Sequence, residues 1–190
     1  MRKFTPAGGD ALVDASFCDP VTEFCAVGNA TSYLTALNDA EVTLVHVSRV
    51  FSLSTFDASF APPAFLDFSG VHVHLSLVGT KVDGSTVGGL VDLVEGANGN
   101  FNFSTSNLAN LFGDTFSLLT SLTFSACFET GLNQCERGGE FLNSAQFAID
   151  NLALEIPEPS VLWLTAFGFG ALALSRRRRN RSGNRSGNAA

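Results

Sequence analysis

The sequence predicts an all-β protein: a jelly-roll-like β-sandwich, followed by a single C-terminal transmembrane helix and a disordered basic tail. Three observations support this fold class. Short blocks rich in Phe, Val and Leu are broken by Gly, Asn and Ser, a pattern typical of strands and turns. Before residue 157 there is little helical periodicity. After it comes an uncharged apolar run, and four consecutive arginines follow that run directly.

The strand pattern predicts about eight short strands before residue 157, as in a sandwich. Segment 31–39 is rich in turn-forming residues and predicts a turn or a single helical turn. The predicted strands cover 41–47, 49–60, 71–78, 87–94, 101–104, 116–128, where one or two strands fit, and 146–156. In the clearest of them, 71–78, apolar and polar residues alternate. Asp83-Gly84, which follows that strand, favours a hairpin turn.

Charge divides the chain into two unlike parts. The formal net charge is −7, but six of the 11 basic residues follow the apolar run. The region before residue 160 therefore holds all 18 acidic residues against five basic ones, a net charge of −13. A body this acidic repels DNA and anionic lipid surfaces, so nucleic acid is not an expected partner.

The four cysteines form two close pairs, Cys18 with Cys25 and Cys127 with Cys135. In an exported protein an even number of cysteines predicts disulfides, here two local bridges, although three pairings remain open. Zinc is the alternative. It is disfavoured because the spacing is not Cys-x-x-Cys and no histidine lies near either pair.

The predicted organisation has four segments: an N-terminal segment (1–30), a sandwich domain (31–156), a C-terminal signal (157–179) and a disordered tail (180–190). The basic start Met1-Arg2-Lys3 is not followed by the apolar stretch of about 7–15 residues that a signal peptide needs. We therefore expect the true start, with its signal peptide, to lie upstream.

The apolar run 160–175 is the predicted transmembrane helix. Sixteen helical residues rise only about 24 Å against a hydrocarbon core of about 30 Å, so the bilayer must thin or the flanking residues must snorkel. A buried core helix is the alternative, but the adjacent arginines cannot be buried without partners. The apolar residues of the run are Val161, Leu162, Trp163, Leu164, Phe167, Phe169, Leu172 and Leu174, and the arginines that fix its topology are Arg176, Arg177, Arg178 and Arg179.

The order of Pro157-Glu158-Pro159, apolar span and arginine cluster resembles the PEP-CTERM sorting signal of Gram-negative bacteria. The resemblance implies recognition and cleavage at Pro157, Glu158 and Pro159 by an exosortase, an integral-membrane enzyme. It implies that the body lies on the periplasmic side of the inner membrane during sorting, and later in the cell envelope or outside the cell. Gln146-Phe147-x-x-Asp150 further resembles a PEP-CTERM subgroup that carries this motif before its anchor.

Candidate sites in the body are few. His72 and His74 share one strand face, about 7 Å apart, and could hold a metal; the alternative is a polar row facing solvent. Asp150 and Asn151 could offer oxygen ligands to a structural calcium ion, or could cap the strand. Motifs for a serine-hydrolase elbow, a zinc protease or a phosphate loop are missing from the sequence.

The sequence thus favours a non-enzymatic, membrane-anchored envelope protein. Its expected partners are an exosortase and membrane lipid, and the family resemblance adds an association with extracellular polysaccharide or biofilm matrix. A carbohydrate-binding module, with or without calcium, is the alternative, and exposed aromatic side chains would favour it. A secreted hydrolase is the third hypothesis, and two carboxylates converging in a cleft would favour it.

Overall fold

We analysed a computed structural model of the chain. It describes residues 3–13, 31–46, 49–63, 68, 70–95, 101–129, 135–137 and 144–157. The chain divides into two compact units, residues 1–156 and 157–190. The strands are β1 (Lys3–Val13), β2 (Tyr33–Val45), β3 (Ser52–Phe60), β4 (Val73–Lys81), β5 (Thr86–Leu93), β6 (Ser104–Asn107), β7 (Leu119–Glu129), β8 (Cys135–Glu136) and β9 (Phe147–Glu155). Helix α1 (Leu108–Phe112) and a 3-10 turn (Gly113–Phe116) lie between β6 and β7.

The strands pair in the order β5-β4-β7-β2-β9-β3-β6, with β1 on β2 and β8 on β7. Strand β2 belongs to two half-sheets, because its first half pairs with β9 and its second half with β7. The half-sheets pack face to face: the rings of Phe56 on β3 and Phe124 on β7 lie 5.6 Å apart. The predicted all-β sandwich is confirmed.

A bend in β2 allows this sharing. Asn38 and Asp39 both have left-handed backbone conformations, with φ of 56° and 57°, a region that Asn and Asp tolerate better than most residues. The Asp39 carboxylate accepts a hydrogen bond from the buried backbone N–H of Ala145 at 2.7 Å. The turn predicted at 31–39 is therefore wrong as a whole: the turn chemistry is confined to two residues inside a 13-residue strand.

The core is built mainly from phenylalanine. Phe60 is fully buried, and its ring contacts those of Phe68, Phe101 and Phe128 edge-on at 4.9, 4.9 and 5.9 Å. Edge-to-face pairs of this kind contribute about 0.5–1.5 kcal/mol each beyond their buried area. Nine of the 18 Phe of the sequence are buried in the described part of the sandwich.

The β4–β5 hairpin follows the predicted pattern. Val73, Leu75 and Leu77 are buried on β4, whereas its alternate residues face outward. The connecting turn contains Gly84 with φ of 83°, a conformation suited to glycine, and the N–H of Gly84 donates to the carbonyl of Lys81 at 3.0 Å.

Two elements depart from the strand prediction. Residues 108–116, partly assigned above to strand, form α1 and the 3-10 turn, and β7 begins only at Leu119. The side chain of Asn107 caps α1 by accepting from the backbone N–H of Asn110 at 3.1 Å. The strand predicted at 101–104 overlaps β6 only at Ser104, because β6 spans Ser104–Asn107.

The predicted disulfide between Cys127 and Cys135 is confirmed. It links β7 to β8, with 5.3 Å between the Cα atoms. Cys18 and Cys25 lie outside the described residues, as do Glu158, Pro159, the apolar run and the arginines. Within the described ranges, no helix is long and apolar enough to cross a membrane.

Candidate functional site

The two half-sheets separate at one edge of the sandwich. Strands β5 and β6 occupy the two ends of the pairing order, and an isolated antiparallel bridge between Glu95 and Phe101 joins their adjacent ends. From that bridge the strands run along different half-sheets and leave a cleft of about 390 Å³ between them. We call it the edge cleft; its lining residues are 90–92, 104–107, 110 and 111.

Hydroxyl and amide groups dominate the β6 side of the edge cleft, and Ser106 is the most buried of them. Ser106 pairs directly with Phe56 of β3, whose side chain lies in the core, so both side chains lie on the inner face of the half-sheet. Ser106 is only 7% exposed, and its hydroxyl makes no hydrogen bond to another described residue. The hydroxyl oxygen itself is not fully enclosed, so it can hydrogen-bond water or a ligand in the edge cleft.

The other polar groups of the edge cleft are partly engaged. Thr105 faces outward, where its hydroxyl donates to the Asp57 carboxylate at 2.5 Å. Asn107 caps α1, and no described side chain bonds the amide of Asn110. The aliphatic side chains of Leu90 and Leu111, 38% and 55% exposed, flank these groups.

Helix α1 covers part of the open edge. Phe112 lies against Gly89 of β5 so closely that a Cβ atom at residue 89 would come within 2.8 Å of the ring. The glycine therefore permits α1 to approach β5, and the approach fixes one end of the edge cleft.

A second cleft, of about 370 Å³, adjoins the first. We call it the histidine cleft; its lining residues are 70–74 and 92–95. Nδ1 of His74 lies 2.7 Å from Oδ1 of Asp92, and Nε2 lies 3.5 Å from Oε2 of Glu129. The His74 side chain is 14% exposed and that of Asp92 is 75% exposed. Asp92 is a lining residue of both clefts.

His74 occupies the predicted strand face, opposite the buried Val73, whereas His72 precedes β4. The neighbours of His74 do not converge on one point, because its two carboxylates lie at opposite nitrogens of the ring. His72 is exposed. In the described part of the chain, no group of three or more His, Cys, Asp or Glu side chains could hold a metal ion.

Asp150 and Asn151 take part in a surface network. The Asp150 carboxylate accepts from the Thr31 hydroxyl at 2.8 Å and from the backbone N–H of Asn151 at 2.8 Å. The amide of Asn151 donates to Asp57 at 2.7 Å. This arrangement ties β9 to β3 at a bulge where Asn151 has φ of 51°. Of the motif that precedes the tail, Gln146 and Phe147 are buried.

Sequence reasoning did not find the edge cleft. Its residues come from two strands and a helix, and they share no spacing motif. Exposed aromatic side chains, which would favour a carbohydrate-binding module, are not found among the described residues. Tyr33 is buried, and the least covered described rings, those of Phe103 and Phe112, are partly buried. The sequence Ser-Thr-Ser at 104–106 was a weak indication of a polar cleft, because a strand with one face in a closed apolar core would have apolar residues on that face.

One solved structure shares the architecture of this chain. No family profile and no curated protein sequence matches the chain. A crystal structure of a DUF4465 family protein from Bacteroides caccae shares the fold. It has a TM-score of 0.51 and 10% identity, over 78% of this chain and 74% of that one.

Two carbohydrate-binding proteins are more distant. One structure, of carbohydrate-binding modules from the β-sandwich superfamily, has a TM-score of 0.37 at 10% identity, over 81% of this chain and 56% of that one. A pectin-binding module has a TM-score of 0.28 at 13% identity, over 82% and 89% of the two chains. Both TM-scores are too low to establish a shared fold.

Proposed function

We propose that the chain is an exported, non-catalytic glycan-binding protein whose jelly-roll-like sandwich binds extracellular polysaccharide in the edge cleft. The observation that supports the proposal is Ser106, a residue of the cleft lining that is only 7% exposed and whose hydroxyl bonds no other described residue. Glycans present dense arrays of hydroxyl groups that both donate and accept, and they match a cleft rich in serine, threonine and asparagine. Leu90 and Leu111 supply the apolar contact that a sugar ring's C–H faces need.

A binding role fits the edge cleft better than hydrolysis. Glycoside hydrolysis needs two carboxyl groups on either side of the bond to be cleaved. Among the described residues that line the edge cleft, Asp92 is the single carboxylate. No aromatic ring of the described residues is fully exposed, so binding relies mainly on hydrogen bonds, and we expect weak affinity for one sugar unit and tighter binding for longer chains.

The proposal is tested by titrating soluble oligosaccharides into the full-length protein in mild detergent, with calorimetry as the readout. Ser106→Ala removes one hydrogen bond and should weaken binding about 5- to 10-fold. Ser76→Ala is the matched control, because Ser76 lies on the outer face of β4 and lines neither cleft; it should bind like the native protein. If no oligosaccharide binds, or if Ser106→Ala binds as tightly as the native protein, the proposal is wrong.

We further propose that an exosortase-type system sorts the protein by its PEP-CTERM-like tail, with the run 160–175 as a transient membrane anchor. The Cys127–Cys135 disulfide supports export, because such bonds persist in oxidising compartments. Mass spectrometry of the mature protein from an exosortase-bearing host should find the C-terminal tail removed. Replacing Glu158 by Gln should leave the tail in place. An intact native tail would contradict processing.

A further inference from the structure

The edge cleft and the histidine cleft have one lining residue in common, Asp92, and we call the two clefts together the path. Among the described residues of this path there is no lysine or arginine. Asp92 and Glu95 line it, and Glu129 approaches it through His74. A ligand that follows the path therefore meets carboxylates, and His72 and His74 are the only described lining side chains that can become positively charged.

These carboxylates are held in position by the protein. His74 contacts Asp92 through one ring nitrogen and Glu129 through the other. Glu95 accepts from the backbone N–H of Gly70 at 3.5 Å. A carboxylate has about four acceptor positions, so one bond to the protein leaves most of them for a ligand.

We infer that the glycan bound along this path carries protonated amino groups, as a glucosamine polymer does, and this inference rests on the proposed function. The unpartnered Ser106 hydroxyl in the edge cleft takes a sugar hydroxyl, while Asp92 and Glu95 take ammonium groups in charge-assisted hydrogen bonds. The same carboxylates repel uronic acids. An acidic body with a net charge of −13 before residue 160 adds a long-range attraction for a cationic chain.

The test compares four probes on the full-length protein in mild detergent: a glucosamine hexamer, its N-acetylated form, a galacturonate hexamer and a lysine hexapeptide. The glucosamine hexamer should bind most tightly, and its affinity should fall as salt rises, because salt screens exposed charges. Asp92→Asn and Glu95→Gln should each weaken glucosamine binding about 2- to 5-fold, in keeping with exposed ion pairs, while changing N-acetylglucosamine binding little. Glu155→Gln, an exposed acid at the end of β9, is the control and should change neither.

The outcomes separate the inference from the proposed function. Equal binding of the charged and N-acetylated hexamers, or an equal loss of both in Asp92→Asn, overturns the inference but leaves glycan binding intact. If the lysine hexapeptide binds as tightly as the glucosamine hexamer, the path is a general cation surface and the inference also fails. If none of the three glycans binds, the proposed function itself is wrong.

Discussion

Replacing Asp39 by alanine should strongly destabilise the sandwich. Asp39 lies at the bend of β2, the strand that belongs to both half-sheets, with φ of 57°. Its carboxylate is 2.7 Å from the backbone nitrogen of Ala145, a residue with no exposed surface. The bend thus sets the relative position of the half-sheets whose outer edges form the edge cleft.

Two costs add in Asp39→Ala. The N–H of Ala145 loses its acceptor while buried, which costs about 1–3 kcal/mol. Alanine in the left-handed region costs about 1–2 kcal/mol more. The free energy of unfolding should therefore fall by about 2–5 kcal/mol. With an m value of about 1.5–2 kcal/mol/M, the urea midpoint should fall by roughly 1–3 M.

The assay is urea unfolding of the full-length protein, followed by circular dichroism of the β-sheet. Asp39→Asn is the matched control, because its amide oxygen can still accept from Ala145 and asparagine tolerates the left-handed region; it should lose about 1 kcal/mol or less. The reasoning is refuted if Asp39→Ala unfolds within about 0.5 kcal/mol of the native protein, or if Asp39→Asn is equally damaging.

Two further predictions follow from the disulfide and from the β4–β5 turn. Cys127→Ser removes the disulfide that closes a loop of sequence separation 8, and chain entropy predicts that the free energy of unfolding falls by about 2.5 kcal/mol. The same urea unfolding assay measures this loss. The native protein unfolded under reducing conditions is the control and should lose the same amount. The pKa of Asp83 lies below its ordinary value because the Ser85 hydroxyl and backbone N–H donate to its carboxylate. The ionised Asp83 carboxylate therefore stabilises the turn at pH values above the pKa that Asp83 has in the unfolded chain. This stabilisation is lost as pH falls through the lower pKa that Asp83 has in the folded protein. Ser85→Ala should raise the Asp83 pKa in an NMR titration, and an unchanged pKa would contradict the assignment.

Elements with one buried face could be predicted from sequence. Strand β4 alternates between buried Val73, Leu75 and Leu77 and an outward polar row, and the period of two is visible without any tertiary information. The first half of β2 could not be predicted in this way. Asn38 and Asp39 are strong turn formers and do form the bend. Pairing with β1 and β9 nevertheless keeps the residues before the bend in a strand.

Helix α1 and the edge cleft were beyond sequence reasoning for different reasons. Five residues are too few to show helical periodicity, so α1 depends on its Asn107 cap and on the contact of Phe112 with Gly89. The edge cleft depends on the divergence of β5 and β6 from the Glu95–Phe101 bridge. No local pattern encodes the angle between two strands that belong to different half-sheets.

The position of Asp92 admits two physical roles that can be separated. An edge strand exposes backbone groups that could pair with another chain, and a charged side chain on that strand deters such pairing. Asp92 is the only charged residue in β5, so it could serve this role alone. A lysine at residue 92 would deter pairing equally well but would repel an ammonium group. Asp92→Lys should therefore leave the oligomeric state unchanged and lose glucosamine binding, whereas a purely protective Asp92 would leave binding unchanged. The sign of the charge at residue 92, rather than the presence of a charge, therefore distinguishes a ligand-binding role of Asp92 from a role in preventing strand pairing.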